Sequence, residues 1–249
     1  MFAGRVSIVA ISLLAASEAA AQTPPLAVVE LFTSQGCSSC PPADALIGEL
    51  GKDSSFIAVS LPIHYWDYLG WKDTLADPRH TARQKAYSRM RGDSDIFTPQ
   101  AVINGAASAL GSDKAAIKKA VETAHEHGAK LSMKVDIAVV NGQVSVAVVK
   151  GDDGLSGDQG ELPGEVWMWG LASAVPVTIG RGENKGRTVI YANVVRRWVK
   201  LGDWPGPGRW TVPVPDVKVD TVDSVAVIVQ SGSQNKPGVI LGAGLAALQ

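Results

Sequence analysis

The chain contains two cysteines, Cys37 and Cys40, separated by two serines in the segment ELFTSQGCSSCPPAD. An apolar run over residues 26–33 precedes them and predicts a buried strand, and the sequence PPADALIGEL behind them has the apolar spacing of a helix. The pair therefore lies at a strand-to-helix junction. Two thiols at this spacing can form a structural disulfide, hold a metal ion or act as a redox centre.

An alternation of strand and helix patterns indicates an α/β unit over residues 22–129. A second strand pattern is followed by DPRHTARQKAYSRMRG, which predicts a helix with Asp77 as N-cap and Pro78 at the first position. The turn dipeptide of Asn104 and Gly105 then separates two short strand patterns. A further amphipathic helix pattern closes the unit.

The sequence pattern changes to alternating strands over residues 130–249. VDIAVVNGQVSVAVV predicts a hairpin about Asn141 and Gly142, which places Val139 opposite Val144. Strand-like runs continue to the C-terminus, and no long helical pattern recurs. This region is expected to be all-β and sandwich-like.

The first residues, 1–21, have the pattern of a cleaved signal peptide. Ala19 and Ala21 supply the small-x-small cleavage pattern, so the mature chain is expected to begin near Gln22. The apolar run is shorter than the roughly 20 residues that cross a bilayer, although an uncleaved anchor is the alternative. We expect a periplasmic or secreted protein without a stable membrane span after cleavage. In those compartments a disulfide persists.

The junction favours redox chemistry at the cysteine pair. Unpaired N–H groups at a helix N-terminus favour a thiolate, and Cys37 is expected at or just before that terminus. Cys40 would then be close enough to attack a mixed disulfide formed on Cys37. Pro41 disfavours helical geometry at Cys40, so a helix that begins nearer Cys40 would weaken the effect on Cys37.

Two segments together resemble the thioredoxin superfamily over roughly residues 26–128. They are FTSQGCSSC, which follows the apolar strand, and DIFTPQAVING. The resemblance implies that Thr98 and Pro99 lie beside the cysteine pair and that the bond between them is cis. It also implies that the backbone at Thr98 lines the groove where a partner chain docks.

A closer resemblance covers most of the mature chain. The segments ELFTSQGCSSCPPAD, HYWDYLGWKD, TPQAVING and RGENKGRT resemble a bacterial family of secreted thioredoxin-like proteins that has no assigned function and a β-rich C-terminal region. The implied fold is an α/β thioredoxin-like domain over residues 22–129, followed by an all-β, sandwich-like domain over residues 130–249. HYWDYLGWKD departs from ordinary thioredoxins, so their substrates and partners do not transfer.

The segment PIHYWDYLGWKD follows the second strand pattern and is expected near the cysteine turn. Trp66 and Tyr68, with Trp71, could wall the redox site and form part of a substrate groove, or could simply pack the segment onto the domain. His64 or Asp67 could shuttle protons for the thiols. A hydrogen-bonded structural role is the alternative for His64.

Two further polar segments allow both structural and functional interpretations. The helix pattern over residues 78–91 carries five basic residues, including Arg83, which either form a solvated face or lower the pKa of a nearby thiol. RGENKGRT, residues 181–188, is interpreted as a hairpin loop between strands, with anion or partner binding as the alternative.

We predict an exported thiol–disulfide oxidoreductase in which Cys37 attacks and Cys40 resolves. Its partners would be protein thiols or disulfides and a periplasmic redox protein, and no cofactor or resident metal is expected. The alternative is a non-enzymatic binding protein, either a copper carrier that uses both thiolates with His64 or a protein-partner module. A third possibility is a disulfide that only fixes the turn. The formal net charge of −1 provides no basic footprint for nucleic acid.

Overall fold

The computed structural model describes residues 25–150, 162–206 and 208–248. The predicted signal peptide, residues 1–21, and the expected mature start at Gln22 lie outside the described residues. The helices are α1 Pro41–Leu50, α2 Pro78–Arg91, α3 Lys114–Glu126 and α4 Val214–Val217, with a short 3-10 helix at Asp67–Leu69. The strands are β1 Ala27–Thr33, β2 Phe56–Pro62, β3 Gln100–Ile103, β4 Ala107–Leu110, β5 Met133–Val140, β6 Gln143–Lys150, β7 Gly164–Thr178, β8 Thr188–Trp204, β9 Arg209–Pro213, β10 Ser224–Ser233 and β11 Lys236–Ala247.

The described strands form one 11-stranded sheet in the order β4-β3-β1-β2-β8-β7-β10-β11-β5-β6-β9. β1 pairs in parallel with β2 and antiparallel with β3, and β4 completes that end of the sheet. β8 joins the other edge of β2 in parallel, with Val194 opposite Ser60. The long β7–β8 hairpin thereby connects the first strands to the remaining ones.

The predicted fold class is wrong. A single, mostly β structure built on one sheet replaces the expected α/β thioredoxin-like domain followed by a separate sandwich-like domain. One apolar cluster contains Phe32, Leu61 and Trp169, so the core also crosses the expected division. Hydrophobic periodicity identifies which residues face a core, but it does not specify which strand edges pair. The boundary between residues 129 and 130, as a limit of independent folding, stays a prediction.

Several local predictions are confirmed. The hairpin about Asn141 and Gly142 pairs Val139 with Val144. Asp77 caps α2, and its carboxylate accepts a hydrogen bond of 2.8 Å from the Arg79 N–H. These features depend on short-range turn and cap chemistry, which a sequence pattern reports directly.

β1 is buried on both faces, and its alternating residues separate two layers. Val29 and Leu31 pack in one cluster with residues of α1 and α3. Val28 and Phe32 pack in another cluster with Tyr87 of α2. A strand covered on both sides has a continuous apolar run, as residues 26–33 have.

A buried ion pair ties α2 to the sheet. The Arg83 guanidinium donates to both carboxylate oxygens of Glu30 on β1, at 2.5 and 2.9 Å. Tyr87 donates to the same carboxylate at 2.6 Å, and Arg83 also reaches Gln230 on β10 at 2.9 Å. Arg83 therefore does not belong to a solvated face of α2.

No helix among residues 25–150, 162–206 and 208–248 is long and apolar enough to cross a membrane.

The substitution Arg83→Ala should destabilise the protein strongly. It would leave Glu30, which is fully buried, without its counter-charge, and breaking such a pair costs about 3–5 kcal/mol. We expect this loss in the free energy of unfolding measured by urea denaturation. Lys114→Ala is the control, because it removes the exposed ion pair with Glu49 and should change stability little. Equal effects of the two substitutions would contradict a structural role for the buried pair.

Candidate functional site

The two cysteines form a disulfide in the turn between β1 and α1. The Cys37 N–H donates to the Ser34 carbonyl at 3.1 Å, and the Cys40 N–H donates to the Cys37 carbonyl at 3.2 Å. α1 begins at Pro41 with Cys40 as its N-cap. Cys37 therefore lies four residues before the first residue of α1, and the helix N-terminus favours a thiolate at Cys37 only weakly, as Pro41 indicated.

The two sulfur-bearing residues differ in exposure. Cys40 is completely buried, whereas Cys37 retains 4% of its surface. Ser38 and Ser39 between them are exposed, and the Ser39 hydroxyl lies 3.5 Å from the Cys37 sulfur. Both cysteines are thus buried, and the small exposed remainder of the pair belongs to Cys37.

Trp66 lies between the cysteine turn and the peptide before β3. A Cβ atom at Gly36 would lie only 3.1 Å from the Trp66 Cβ, so glycine permits this close approach. The Trp66 indole N–H donates to the Thr98 hydroxyl at 2.8 Å, and the bond from Thr98 to Pro99 is cis, as expected. The structure thus brings the cysteine turn, Trp66 and Thr98 together.

Tyr68 extends the aromatic surface outwards. Its ring is stacked on that of Trp66, with 6.2 Å between centroids, and 76% of the residue is exposed. Packing of the segment onto the protein explains Trp66 in part, but it does not explain an exposed Tyr68. The two rings therefore present an accessible apolar surface next to the site.

Gln35 connects the cysteine turn to the segment after β2. Its backbone N–H donates to the Asp73 carboxylate at 2.8 Å. Its side-chain oxygen accepts from the Trp71 indole N–H at 2.8 Å, and its amide nitrogen donates to the Thr74 hydroxyl at 3.0 Å. This hydrogen bond holds Trp71 beside Gln35. Trp71 therefore packs its segment onto the protein, and a role as an exposed wall of the redox site fits it less well.

Asn184 reaches the cysteine turn from the loop between β7 and β8. Its side-chain amide donates to the Cys37 carbonyl at 2.8 Å and to the Gln35 carbonyl at 3.0 Å, and the residue is 1% exposed. The predicted hairpin loop at residues 181–188 is confirmed, since it joins the antiparallel strands β7 and β8. The contact of that loop with the cysteine turn was not predicted, because Cys37 and Asn184 are 147 positions apart in the sequence and no local pattern links them.

Asp44 is a buried acid one helical turn after Cys40. One carboxylate oxygen accepts from the Thr33 hydroxyl at 2.6 Å, and the other has no hydrogen-bond partner among the described residues. Burial raises the pKa of Asp44 to about 7, the Thr33 hydrogen bond opposes this rise, and nearby Asp73 adds to it. Asp44 was not predicted as a site residue, because its one signal in the sequence is an acidic residue next to the apolar stripe of α1.

The two expected proton shuttles make structural hydrogen bonds. His64 is exposed, and its Nδ1 lies 2.9 Å from the Thr81 hydroxyl. The Asp67 carboxylate accepts from the Asp73 N–H at 3.0 Å. Proton transfer by either residue stays a prediction. Within the described parts of the chain, no three His, Cys, Asp or Glu residues form a group that could hold a metal ion.

The chain belongs to the family described as "Protein of unknown function (DUF1223)", which matches residues 28–230. The match includes the cysteine turn, Thr98, Pro99 and the loop that carries Asn184. A search of the curated proteins gives no match.

Two solved structures are similar to this one. A crystal structure of an Agrobacterium tumefaciens protein aligns with a TM-score of 0.75 and 27% identity, over 90% of this chain and 95% of that chain. HBP35 of Porphyromonas gingivalis aligns with a TM-score of 0.55 and 14% identity, over 90% of this chain and 76% of its own. The second likeness concerns the fold alone.

The raised pKa of Asp44 predicts a pH-dependent stability. The folded protein holds this proton up to about pH 7, whereas the unfolded chain releases it near 3.8, so stability is lost as the pH rises through that window. Asp44→Asn cannot titrate. We expect its stability relative to wild type to increase by roughly 2–3 kcal/mol between pH 5 and pH 8, in urea denaturation with the disulfide closed.

His80 also titrates between the folded and unfolded states, but it is present in both proteins. Its contribution therefore cancels when the free energy of unfolding of Asp44→Asn is compared with that of wild type at each pH. Burial lowers the pKa of His80 to about 4, so His80 contributes stability that is lost as the pH falls below its usual 6.5. Asp95→Asn, which removes an exposed carboxylate, is the matched control and should show no comparable trend. A constant difference between Asp44→Asn and wild type across this range would contradict the buried, proton-holding state of Asp44.

Proposed function

We propose that this DUF1223 family member is an exported thiol–disulfide oxidoreductase in which Cys37 attacks and Cys40 resolves. The observation that carries the proposal is a closed Cys37–Cys40 disulfide at the junction of β1 with α1, in a turn bordered by Trp66 and near Thr98, with Cys37 4% exposed and Cys40 completely buried. In a chain of this length the core already supplies stability, so a bond that closes so short a loop adds little as a staple. The local likeness of the cysteine turn and the prolyl segment to the thioredoxin superfamily supports the same chemistry.

The proposed reaction is a two-step exchange. The Cys37 thiolate attacks one sulfur of a substrate disulfide, the substrate bond breaks, and the released substrate thiolate takes up a proton. The Cys40 thiolate then attacks the Cys37 sulfur of the mixed disulfide and releases the second substrate thiol. The substrate gains two electrons and two protons, and the cysteine pair becomes the disulfide seen in the structure. A reduced dithiol protein would restore the thiols, and the reverse sequence would oxidise a substrate.

The assignment of roles follows from accessibility. Both cysteines are buried, but the small exposed remainder of 4% belongs to Cys37, so Cys37 is assigned the attack. Cys40 is completely buried and adjoins the Cys37 sulfur, so it is assigned the resolving step. Exposed Tyr68 and its stacking partner Trp66 lie beside this turn and offer apolar contact area for a polypeptide substrate. Thr98, whose hydroxyl is bound by Trp66, would form the opposite side of the proposed substrate groove together with Pro99.

The proposal includes a location and a partner. The N-terminal pattern of residues 1–21 and the closed disulfide both fit a periplasmic or secreted protein. A periplasmic redox protein would then supply or accept the electrons.

The alternative of a copper carrier gains no specific support, since His64 binds Thr81 and no observation places it with the cysteines.

Two single substitutions test the assigned roles. With a peptide disulfide as substrate, Cys40→Ser should form a stable mixed disulfide through Cys37, because the resolving thiol is missing. Cys37→Ser should form little or none, since its remaining thiol is buried, and turnover should fall to the uncatalysed rate in both variants. Mass spectrometry without reductant measures the adduct, and a coupled assay measures turnover.

The two variants control for each other, since both abolish the internal disulfide. Equal adduct formation in both would contradict the distinction between an attacking and a resolving thiol.

Equilibration of the wild type with glutathione buffers separates a redox centre from a structural bond. We expect a reduction potential above about −300 mV, and a lower value would identify the disulfide as structural.

A further inference from the structure

Residues 179–187, which connect β7 to β8, form a loop that is closed by backbone hydrogen bonds of its own. The Ile179 N–H donates to the Arg187 carbonyl at 2.9 Å, and the Gly186 N–H donates to the Ile179 carbonyl at 2.8 Å. The Arg187 N–H donates to the backbone carbonyl of Asn184 at 3.1 Å. These hydrogen bonds restrain the backbone at Asn184. Little additional conformational entropy is therefore lost when the Asn184 side chain binds the cysteine turn.

This loop is packed directly onto the segment that borders the cysteines. A Cβ atom at Gly180 would lie 2.9 Å from the Trp71 ring, so the backbone of the loop and the indole are in close contact. The same indole is hydrogen-bonded to Gln35, two residues before Cys37. The position of the loop relative to the disulfide is thus determined by packing as well as by Asn184.

We propose that Asn184 is a positioning residue that sets the redox equilibrium of the Cys37–Cys40 pair. Its amide nitrogen holds the carbonyls of Gln35 and Cys37, two groups that are almost without access to solvent. In the reduced protein no covalent bond fixes the turn, and these two hydrogen bonds would keep Cys37 facing Cys40. The inference rests on the proposed function, because the equilibrium matters to the protein only if the pair exchanges disulfides.

The direction of the effect follows from ring closure. Disulfide formation is favoured when the two thiols are already held at the closing distance, and here the Cα atoms are 5.4 Å apart. Without Asn184 the reduced turn gains conformational freedom that closure must remove. Loss of the amide should therefore favour the dithiol and make the pair a stronger oxidant.

The test is the equilibrium of the cysteine pair with glutathione, in which the protein disulfide and two glutathione thiols yield the protein dithiol and glutathione disulfide. Asn184→Ala should lower the equilibrium constant for disulfide formation by at most roughly tenfold, because both forms lose two neutral hydrogen bonds and only the reduced turn regains conformational freedom in return. A tenfold change corresponds to a reduction potential about 30 mV higher. Alkylation of free thiols followed by mass spectrometry reads the dithiol fraction.

Asn193→Ala is the matched control. Asn193 belongs to β8 of the same hairpin, and its amide donates to the Ala58 carbonyl at 2.9 Å, a bond to β2 instead of the cysteine turn. A purely structural role of such asparagines would lower the melting temperature without moving the potential. An equilibrium constant for Asn184→Ala within about twofold of wild type, an equal shift in Asn193→Ala, or a shift in the opposite direction would overturn the inference.

Asn184→Ser keeps one short donor and provides a second measurement if Asn184→Ala does not fold. It should show a smaller shift in the same direction, and an unchanged potential in this variant would also overturn the inference. Turnover of wild type with a peptide disulfide is measured separately. If the potential shifts in the Asn184 variants but wild type shows no turnover, the oxidoreductase function is rejected and the role of Asn184 is retained. If wild type shows turnover but the potential of the variants does not shift, the role of Asn184 is rejected and the oxidoreductase function is retained.

Discussion

The edge of β2 that faces away from β1 carries backbone groups that need hydrogen-bond partners, and β8 pairs with it in parallel at Ser60 and Val194. Side chains reinforce the junction, since Ser60 donates to the Ala192 carbonyl and Asn193 donates to the Ala58 carbonyl. Asn193 has a positive φ of 48°, which asparagine tolerates better than most residues. Through this pairing the first strands and the later strands share one sheet, and the loop beyond β7 is carried to the cysteine turn.

Three segments that are distant in sequence meet at the disulfide as a result. The turn before α1 provides the cysteines, the segment after β2 provides Trp66, Trp71 and Asp73, and the β7–β8 loop provides Asn184. Buried polar groups in such a place are costly unless they are hydrogen-bonded, and most here are. The free oxygen of Asp44 is an exception, and its raised pKa is the direct consequence of that burial.

The elements that sequence reasoning predicted correctly are those governed by neighbouring residues. The cap of α2, the hairpin about Asn141 and Gly142, and the hairpin loop at residues 181–188 all follow from short-range patterns. The segment after β2 was expected near the cysteine turn, and Trp66 of that segment lies against the turn and donates to the Thr98 hydroxyl. A substrate groove at these residues stays a prediction. Arg83 shows the limit of such reasoning. Its basic neighbours suggested a solvated face, but a single buried partner, Glu30, decided its position.

Short-range patterns in the sequence predict the junction of β1 with α1 at the cysteine pair, the prolyl segment at Thr98 and Pro99, and the strand-rich character of the later residues. Long-range contacts make these strands continue one sheet, bury both cysteines, and bring Asn184 to the cysteine turn. The physical reason is that periodicity and turn chemistry act over a few residues. Edge pairing and burial depend on which distant groups satisfy one another in space.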